Sequence, residues 1–315
     1  WGVANMLYYY SFVIATFLRP YYYGSLLWVL GWAGWGAVVS GLGLSPLDIS
    51  QQLKERLYSR CDTVVMTSAT MAVRKEFDFI KSGLGLLDET RVSELILPSP
   101  FDYEEQLLLS IPTDVPEPGT REYSRVITPL ILDAVKASRG NALILFTSYS
   151  LLDNVYRQIH GELESSGLLT LKQGALPRGR LLDRFRLEDG SVLFATDSFW
   201  EGVDVPGNAL RLVVITRLPF RVPTEPIIEA RVEHMESMGI NSFTDYSVPV
   251  AVLKFKQGFG RLIRTRSDRG VVLVLDRRII SKFYGRYFLD SLPECGRLIA
   301  GSDQIISGLG EFFAG

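Results

Sequence analysis

Cysteine and histidine are scarce in this chain, which has two of each among its 315 residues. Cys61 and Cys295 lie far apart and outside any C-x-x-C pattern, so they do not supply the roughly four ligands of a structural zinc ion or an iron–sulfur cluster. His160 and His234 have neither metal-site nor triad spacing, and we expect both to be structural. So few thiols suit a reducing compartment, and we therefore expect a cytoplasmic protein with buried, inert cysteines.

A phosphate-cradling P-loop is also missing, because no G-x-x-x-x-G-K-[ST] pattern occurs anywhere in the chain. We therefore expect that the chain alone does not hydrolyse ATP. An excess of positive charge is absent as well, since the formal net charge is -2 and the sequence pI is near 5.9. Any contact with nucleic acid must then come from local groups of Arg and Lys.

Charge is nearly absent from residues 1–44, where Arg19 is the single charged residue. Two uncharged runs of roughly 18 and 24 residues satisfy the length criterion for membrane-spanning helices. Repeated glycines break helical continuity, however, and Trp32–Val39 is equally typical of short strands with turns. We favour a buried or atypical apolar segment and keep a membrane hairpin as the open alternative.

From residue 45 onward, short apolar strands alternate with amphipathic stretches such as Leu151–Leu163. Each predicted strand runs into Ser, Thr, Asp or Arg, and the strands are Thr63–Met66, Ala142–Phe146, Val192–Ala195, Leu212–Ile215 and Val271–Leu275. This alternation predicts an α/β fold with a parallel sheet that helices cover on both faces. The loops at the carboxyl ends of such strands form the ligand crevice, so we expect phosphate chemistry there.

The clearest functional pattern runs from Gln257 to Arg264, as Gln-Gly-Phe-Gly-Arg-Leu-Ile-Arg. If this segment is helical, Gln257, Arg261 and Arg264 project from one face. Guanidinium groups donate bidentate hydrogen bonds to phosphate and offset charge on a transferring phosphoryl group, so we predict arginine fingers. Gly260 allows close approach, which disfavours the alternative of a merely solvated basic face.

A second polar pattern, Thr196 to Gly207, follows a predicted strand. Glu201 and Asp204 can accept hydrogen bonds from a ribose or a water, and Gly202 permits a tight turn. We expect these three residues, together with Gly260 of the first pattern, to bind nucleotide.

Two further groups have open interpretations. Phe199 and Trp200 either stack on bases or belong to the core. Arg180 and its neighbours Arg178, Arg184 and Arg186 either grip a phosphate backbone through charge or form a solvated helix face.

The order of the motifs resembles that of the DinG family of XPD-like superfamily 2 helicases. The residues that carry the resemblance are Thr67–Thr70, Ser99–Tyr103, Leu145–Tyr149, Gln173-Gly174, Ser198–Gly207, Leu218–Phe220 and Gln257–Arg264. The resemblance implies that the predicted parallel sheet has the RecA-like fold. It also implies that residues 45–98 end a first RecA-like domain with motif III, and that residues 99–315 form the second, preceded by the apolar segment 1–44.

The resemblance further implies roles for individual residues. Those expected to contact single-stranded DNA are Thr70 in motif III, Ser148 and Tyr149 in motif IV, Gln173, and Ser198 with Phe199 and Trp200 in motif V. Arg180 joins this set on the ground of its charge alone. Gln257, Arg261 and Arg264 resemble motif VI, which reaches the γ-phosphate of ATP across the interdomain cleft. Family members use ATP and Mg²⁺ to move along single-stranded DNA, typically 5′ to 3′. A full-length family protein can also carry a four-cysteine iron–sulfur cluster, whose ligands are not in this chain.

We therefore predict the C-terminal motor portion of an ATP-dependent DNA helicase, supplying motifs III to VI. Its expected partners are single-stranded DNA and the first RecA-like half, carried by the same gene product or by another chain. The alternative is a catalytically inactive nucleic-acid-binding or regulatory module, which the missing Walker A motif permits. A membrane-anchored helicase-derived protein is the third hypothesis, and only residues 1–44 suggest it.

Overall fold

Residues 47–200, 205, 207–221 and 225–314 are described by a computed structural model. The chain divides into two units, Trp1–Leu47 and Asp48–Gly315, and the second contains the elements described below. The predicted apolar segment 1–44 lies outside the described residues, so its interpretations stay predictions. Within the described ranges, no helix combines the length and the apolar character that crossing a membrane requires.

A parallel sheet of seven strands forms the centre of the described part, in the order β3-β4-β2-β5-β6-β1-β7. The strands are β1 (Leu107–Pro112), β2 (Ala142–Leu145), β3 (Leu169–Lys172), β4 (Ser191–Ala195), β5 (Leu212–Ile215), β6 (Gly270–Val274) and β7 (Gly296–Ala300). The predicted α/β class is confirmed, and β2, β4, β5 and β6 lie where the apolar runs predicted strands.

The central strands are continuously apolar because both faces of the sheet are covered. Side chains alternate along each strand, so Leu143 and Leu145 of β2 enter the core on one face. Ala142 and Ile144 enter the core on the other face. All four residues are fully buried, which is why this stretch reads as an unbroken apolar run.

Helices pack on both faces of the sheet. They are α1 (Ser50–Leu53), α2 (Asp78–Leu84), α3 (Tyr103–Gln106), α4 (Tyr123–Ala137), α5 (Tyr149–Ser165), α6 (Arg178–Leu187), α7 (Pro226–Ser237), α8 (Val248–Phe259), α9 (Arg278–Ser281), α10 (Gly285–Leu289) and α11 (Ser302–Ala314), with π-helical turns at Lys54–Tyr58 and Phe243–Ser247. Buried residues of α4, α5 and α11 share one core cluster, and those of α6, α8 and α10 share the other.

The predicted strand Thr63–Met66 does not form. Val65 is 79% exposed, and these residues pair with no strand of the described sheet. A strand needs a neighbour to satisfy its backbone groups, so apolar character alone does not create one. The sequence interpretation missed β1, β3 and β7. β3 and β7 lie at the two sheet edges and are only partly buried, which weakens the hydrophobic pattern, whereas β1 is an interior, buried strand whose apolar run was overlooked.

Candidate functional site

Polar residues follow the carboxyl ends of neighbouring strands, as the sequence predicted. Gln173 follows β3, Thr196 follows β4, and Ser148 and Tyr149 come shortly after β2. Because β4 pairs with both β3 and β2 in parallel, these ends meet at one edge of the sheet. The fold therefore brings together residues that are some 20 to 50 positions apart in the chain.

Gln173 is the centre of a hydrogen-bond network at this edge. Its Oε1 accepts from the backbone N–H of Thr196 at 2.6 Å and from the Thr196 hydroxyl at 3.1 Å. Its Nε2 donates to the Tyr149 hydroxyl at 2.6 Å and to Ser198 Oγ at 3.2 Å. Three predicted DNA-binding residues, Tyr149, Gln173 and Ser198, thus form one connected group. The sequence interpretation missed the role of Thr196, although it directly follows a strand.

Two helices begin beside this network. Ser148 caps the N-terminus of α5, and its hydroxyl accepts from the Leu151 N–H at 3.4 Å. Arg178, the first residue of α6, donates to the carbonyl of Ser198 at 3.3 Å, and its guanidinium lies 5.3 Å from the ring centroid of Phe199. Helix N-termini and a guanidinium both favour an anion, so the electrostatics of this edge suit phosphate.

The remaining arginines of α6 differ in their surroundings. Arg184 pairs with Glu188 at 2.8 Å, and this hydrogen bond raises the pKa of the guanidinium and lowers that of the carboxyl. Arg186 lies 3.7 Å from Asp183. Arg180 is exposed on the same helix. The ion pairs within α6 favour the solvated-face interpretation for Arg184 and Arg186, whereas Arg178 is the arginine held at the strand-end site.

Phe199 and Trp200 belong to the core, with exposures of 1% and 0%. Their rings are therefore not available to stack on bases, and the structural alternative is the correct one. The Trp200 indole donates to the carbonyl of Phe146 at 3.4 Å, and Lys254 Nζ lies 5.8 Å from the ring centroid. A methyl group on Gly258 would approach the indole to 3.0 Å, so this glycine accommodates the ring.

The Gln257–Arg264 segment is helical only at its beginning. Helix α8 ends at Phe259 with Gly260 as its C-cap, and Gln257 is half-buried in the last turn. Arg261 lies beyond the helix, where its Nε donates to the carbonyl of Trp200 at 3.1 Å. The prediction of one helical face carrying Gln257, Arg261 and Arg264 is therefore wrong.

A buried carboxylate explains why the helix does not continue. Asp268, which is 3% exposed, accepts from the backbone N–H groups of Arg264 and Thr265, both at 2.7 Å. These N–H groups would otherwise bond to carbonyls one turn earlier in a helix. Gln106 fixes the same turn by donating to the carbonyl of Asp268 at 2.7 Å. The Thr265-Arg266-Ser267-Asp268 pattern is a capping-type sequence and could have signalled this turn.

A second buried carboxylate lies at the end of β6. Asp276 is fully buried, accepts from the Leu218 N–H at 2.9 Å, and pairs with the Arg278 guanidinium at 2.6 and 2.9 Å. This bonding raises the pKa of Arg278. Nearby, the Tyr123 hydroxyl donates to the carbonyl of Thr216, and burial raises the pKa of Tyr123. The ion pair of Asp276 with Arg278 fixes the loop after β5 through the Leu218 N–H, and the sequence interpretation missed this role.

Thr70 lies in an irregular segment, and its N–H donates to the Ser68 hydroxyl at 3.2 Å. The structure does not bring Thr70 into the Gln173 network. Lys256 of α8 donates to the carbonyl of Ala72 at 2.7 Å, and burial lowers the pKa of this lysine. The segment that contains Thr70 is thus attached to the helix that precedes Arg261.

Of the expected nucleotide-binding residues, Glu201, Gly202 and Asp204 lie outside the described residues, whereas Gly260 is exposed and forms the C-cap of α8. Within the described ranges, no three His, Cys, Asp or Glu side chains come together as a group that could hold a metal ion. Of the two cysteines, Cys61 is exposed, contrary to expectation, and Cys295 is partly buried.

Comparison with known proteins places the described edge within a recognised domain. Residues 131–295 match the family described as the helicase C-terminal domain. The ATP-dependent DNA helicase YoaA of Haemophilus influenzae is 40% identical over 82% of this chain and 39% of its own length. The 3′-5′ exonuclease DinG of Bacillus subtilis is 38% identical over 79% of this chain and 27% of its own length. This chain therefore spans well under half of the length of these relatives.

Solved structures agree on the fold. An XPD helicase aligns with a TM-score of 0.57 at 16% identity, covering 80% of this chain and 45% of the other. The S. tokodaii Xpd4 structure aligns with a TM-score of 0.53 at 17% identity, covering 80% of this chain and 48% of the other. The RecA-like form of the parallel sheet is confirmed by these alignments.

Proposed function

We propose that this chain, which belongs to the helicase C-terminal domain family as a DinG-like and XPD-like helicase portion, supplies the second half of an ATP-driven DNA motor. In this role it binds the backbone of single-stranded DNA at the carboxyl edge of its sheet. It also presents Arg261 and Arg264 to an ATP molecule that the first RecA-like half holds. The YoaA relative of Haemophilus influenzae is named an ATP-dependent DNA helicase, which supports both parts.

The single observation that carries the proposal is the Gln173 network. Its two exposed hydroxyls, from Tyr149 and Ser198, lie beside the Arg178 guanidinium and the N-termini of α5 and α6. Hydroxyls, guanidinium groups and helix N-termini are the donors that proteins use for nucleic-acid phosphates. None of them distinguishes one base from another, so the proposed contact is with the backbone and is independent of sequence.

The first half of the motor is the proposed partner of the exposed apolar segments. Val65, Leu95 and Leu97 are 79%, 75% and 73% exposed, and they lie in irregular stretches that precede β1. Exposed apolar residues of this size favour coverage by another surface. Strands of a first RecA-like half would pair with these stretches, and the greater length of the relatives is consistent with such a half.

The proposed catalytic contribution is electrostatic. Arg261 and Arg264 follow the end of α8. Asp268 fixes the Arg264 backbone, and the Trp200 carbonyl fixes the Arg261 side chain. Guanidinium groups placed in advance stabilise the charge that develops as the γ-phosphoryl group leaves ATP. Mg²⁺ is part of this proposal only as the ion that accompanies ATP, and no described residue is assigned to it.

A reconstitution experiment tests the motor assignment. The chain is mixed with a separately produced first RecA-like half, and ATP hydrolysis is measured with and without single-stranded DNA. Arg261→Ala and Arg264→Ala are expected to lower the DNA-stimulated rate by about 10³-fold, the usual effect of an arginine finger. Arg157→Ala, an exposed arginine in the middle of α5, is the matched control and is expected to leave the rate unchanged.

Unchanged turnover in both finger variants would refute the catalytic assignment. A mixture that binds single-stranded DNA but never hydrolyses ATP would instead support the catalytically inactive module. Strand displacement on substrates with a 5′ or a 3′ single-stranded tail tests the proposed 5′ to 3′ direction, since only the 5′-tailed substrate should be unwound.

A further inference from the structure

Gln173 uses all of its hydrogen-bonding capacity inside the protein. A glutamine amide can accept two hydrogen bonds and donate two. Oε1 accepts from the N–H and the hydroxyl of Thr196, and Nε2 donates to the hydroxyls of Tyr149 and Ser198. Because no capacity is left, the amide contacts DNA only by giving up one of these bonds. Gln173, which the sequence predicted to contact DNA, therefore needs a different role.

The orientation of this amide is fixed by chemistry. The backbone N–H of Thr196 is only a donor, and it lies 2.6 Å from the atom assigned as Oε1. Exchanging the oxygen and nitrogen of the amide would place two donors against each other at that distance, so the assignment holds. Nε2 must then face the two hydroxyls as a donor.

This orientation sets the polarity of both hydroxyls. The oxygens of Tyr149 and Ser198 accept from Nε2, so each keeps its own hydrogen for another acceptor. Among the contacts that the structure describes, neither hydrogen has an acceptor, and the Tyr149 side chain is 56% exposed. Phosphodiester oxygens are acceptors only, so two outward O–H donors match a phosphate and not a cation.

We propose that Gln173 is a positioning residue that holds the Tyr149 and Ser198 hydroxyls as a pair of outward donors for one stretch of DNA backbone. This role rests on the proposed function, because it assumes that single-stranded DNA binds at this edge. The amide reaches from the end of β3 across β4 to the start of α5, which follows β2. Neighbouring strands lie about 4.8 Å apart, so the amide joins loops separated by roughly 10 Å.

The test measures the affinity of the 315-residue chain for a fluorescent oligothymidylate by anisotropy, at several salt concentrations. Gln173→Ala is expected to weaken binding by roughly 3- to 10-fold, the effect of losing about one net hydrogen bond. The dependence of affinity on salt should stay the same, because no cation is removed. Arg178→Ala is the contrasting variant, and it should lower the salt slope by about 0.7.

A variant that lacks the Tyr149 and Ser198 hydroxyls distinguishes a positioning role of Gln173 from its direct contact with DNA. In the Tyr149→Phe/Ser198→Ala variant, adding Gln173→Ala should cause no further loss of affinity, because its effect passes through those two groups. An equal loss in both backgrounds would show that Gln173 acts on DNA directly and would overturn the proposal. If the unsubstituted chain does not bind the oligonucleotide, it is the proposed function that fails.

Gln173→Glu is a control for the possibility that Gln173→Ala weakens binding by disturbing the local fold. The carboxylate still accepts from the Thr196 N–H, so the local fold is retained, but it no longer donates and it turns both hydroxyls inward. Binding is expected to fall by more than for Gln173→Ala, because a negative charge is added beside the phosphate. Affinity equal to that of the unsubstituted chain would overturn the proposed role.

Discussion

The contact between Trp200 and Gly258 allows a quantitative prediction about the free energy of unfolding. An added Cβ at position 258 would lie 3.0 and 3.1 Å from two carbons of the indole and 3.3 Å from Leu145 Cδ1. Trp200 is fully buried, so its ring cannot swing into solvent. Overpacking of this kind costs about 1–3 kcal/mol, while replacing glycine by alanine within a helix contributes up to about 1 kcal/mol of stability.

A second helical glycine separates these two effects. Gly161 of α5 is exposed, and a Cβ added there meets nothing within 4 Å. Gly161→Ala should therefore stabilise the chain by up to about 1 kcal/mol through helix propensity alone. Gly258→Ala carries the same chemical change plus the clash, so the two variants should differ by about 1–3 kcal/mol.

Urea denaturation followed by circular dichroism measures this difference, provided that both variants share the slope of the unsubstituted chain. Gly258→Ala should have the lower midpoint. If it is as stable as Gly161→Ala, the indole does not pack against α8 as described. The link between the end of β4 and the segment that carries Arg261 would then have to be abandoned.

Three further predictions concern single side chains. Arg278→Ala should lower the free energy of unfolding by about 3 kcal/mol in urea denaturation, because it leaves the buried Asp276 carboxylate without its charged partner; Arg278→Lys should lose less. Iodoacetamide should label the exposed Cys61 faster than Cys295, because burial raises the pKa of the Cys295 thiol and the thiolate is the reactive form. The labelling rate of Cys295 should therefore still rise with pH above the ordinary range of thiol pKa values. Equal labelling rates for the two cysteines would contradict the described burial. Ser148→Ala should cost about 1 kcal/mol in the same denaturation assay through loss of the α5 cap, whereas Ser148→Asp should restore most of it.

Four of the seven strands could be predicted because they are buried on both faces. β2, β4, β5 and β6 are continuous apolar runs that end in polar residues, and this pattern requires no knowledge of distant contacts. Thr63–Met66 has the same local pattern but no partner strand in the described residues. Strand formation depends on that partner, so a local apolar run could not decide the outcome.

The sequence identified residues of the candidate site but not the hydrogen bonds between them. Tyr149, Gln173 and Ser198 were identified from their motifs, but their hydrogen bonds join positions 24 and 25 residues apart. Nothing in the local sequence states which of them donates to which. The saturation of the Gln173 amide depends on Thr196, which sequence interpretation treated only as the start of a motif.

The glycines near Arg261 and the aromatic pair before Glu201 are two motifs in the sequence but one feature of the fold. Gly258 lacks a side chain where the Trp200 ring lies, and Gly260 ends α8 immediately before Arg261. Because the helix ends there, the Arg261 side chain reaches the carbonyl of Trp200. Had the helix continued, the Arg264 N–H would bond within it and would not reach Asp268. The spacing of this motif therefore reflects packing and helix termination, which explains why interpreting it as a single helical face gave the wrong geometry for Arg261 and Arg264.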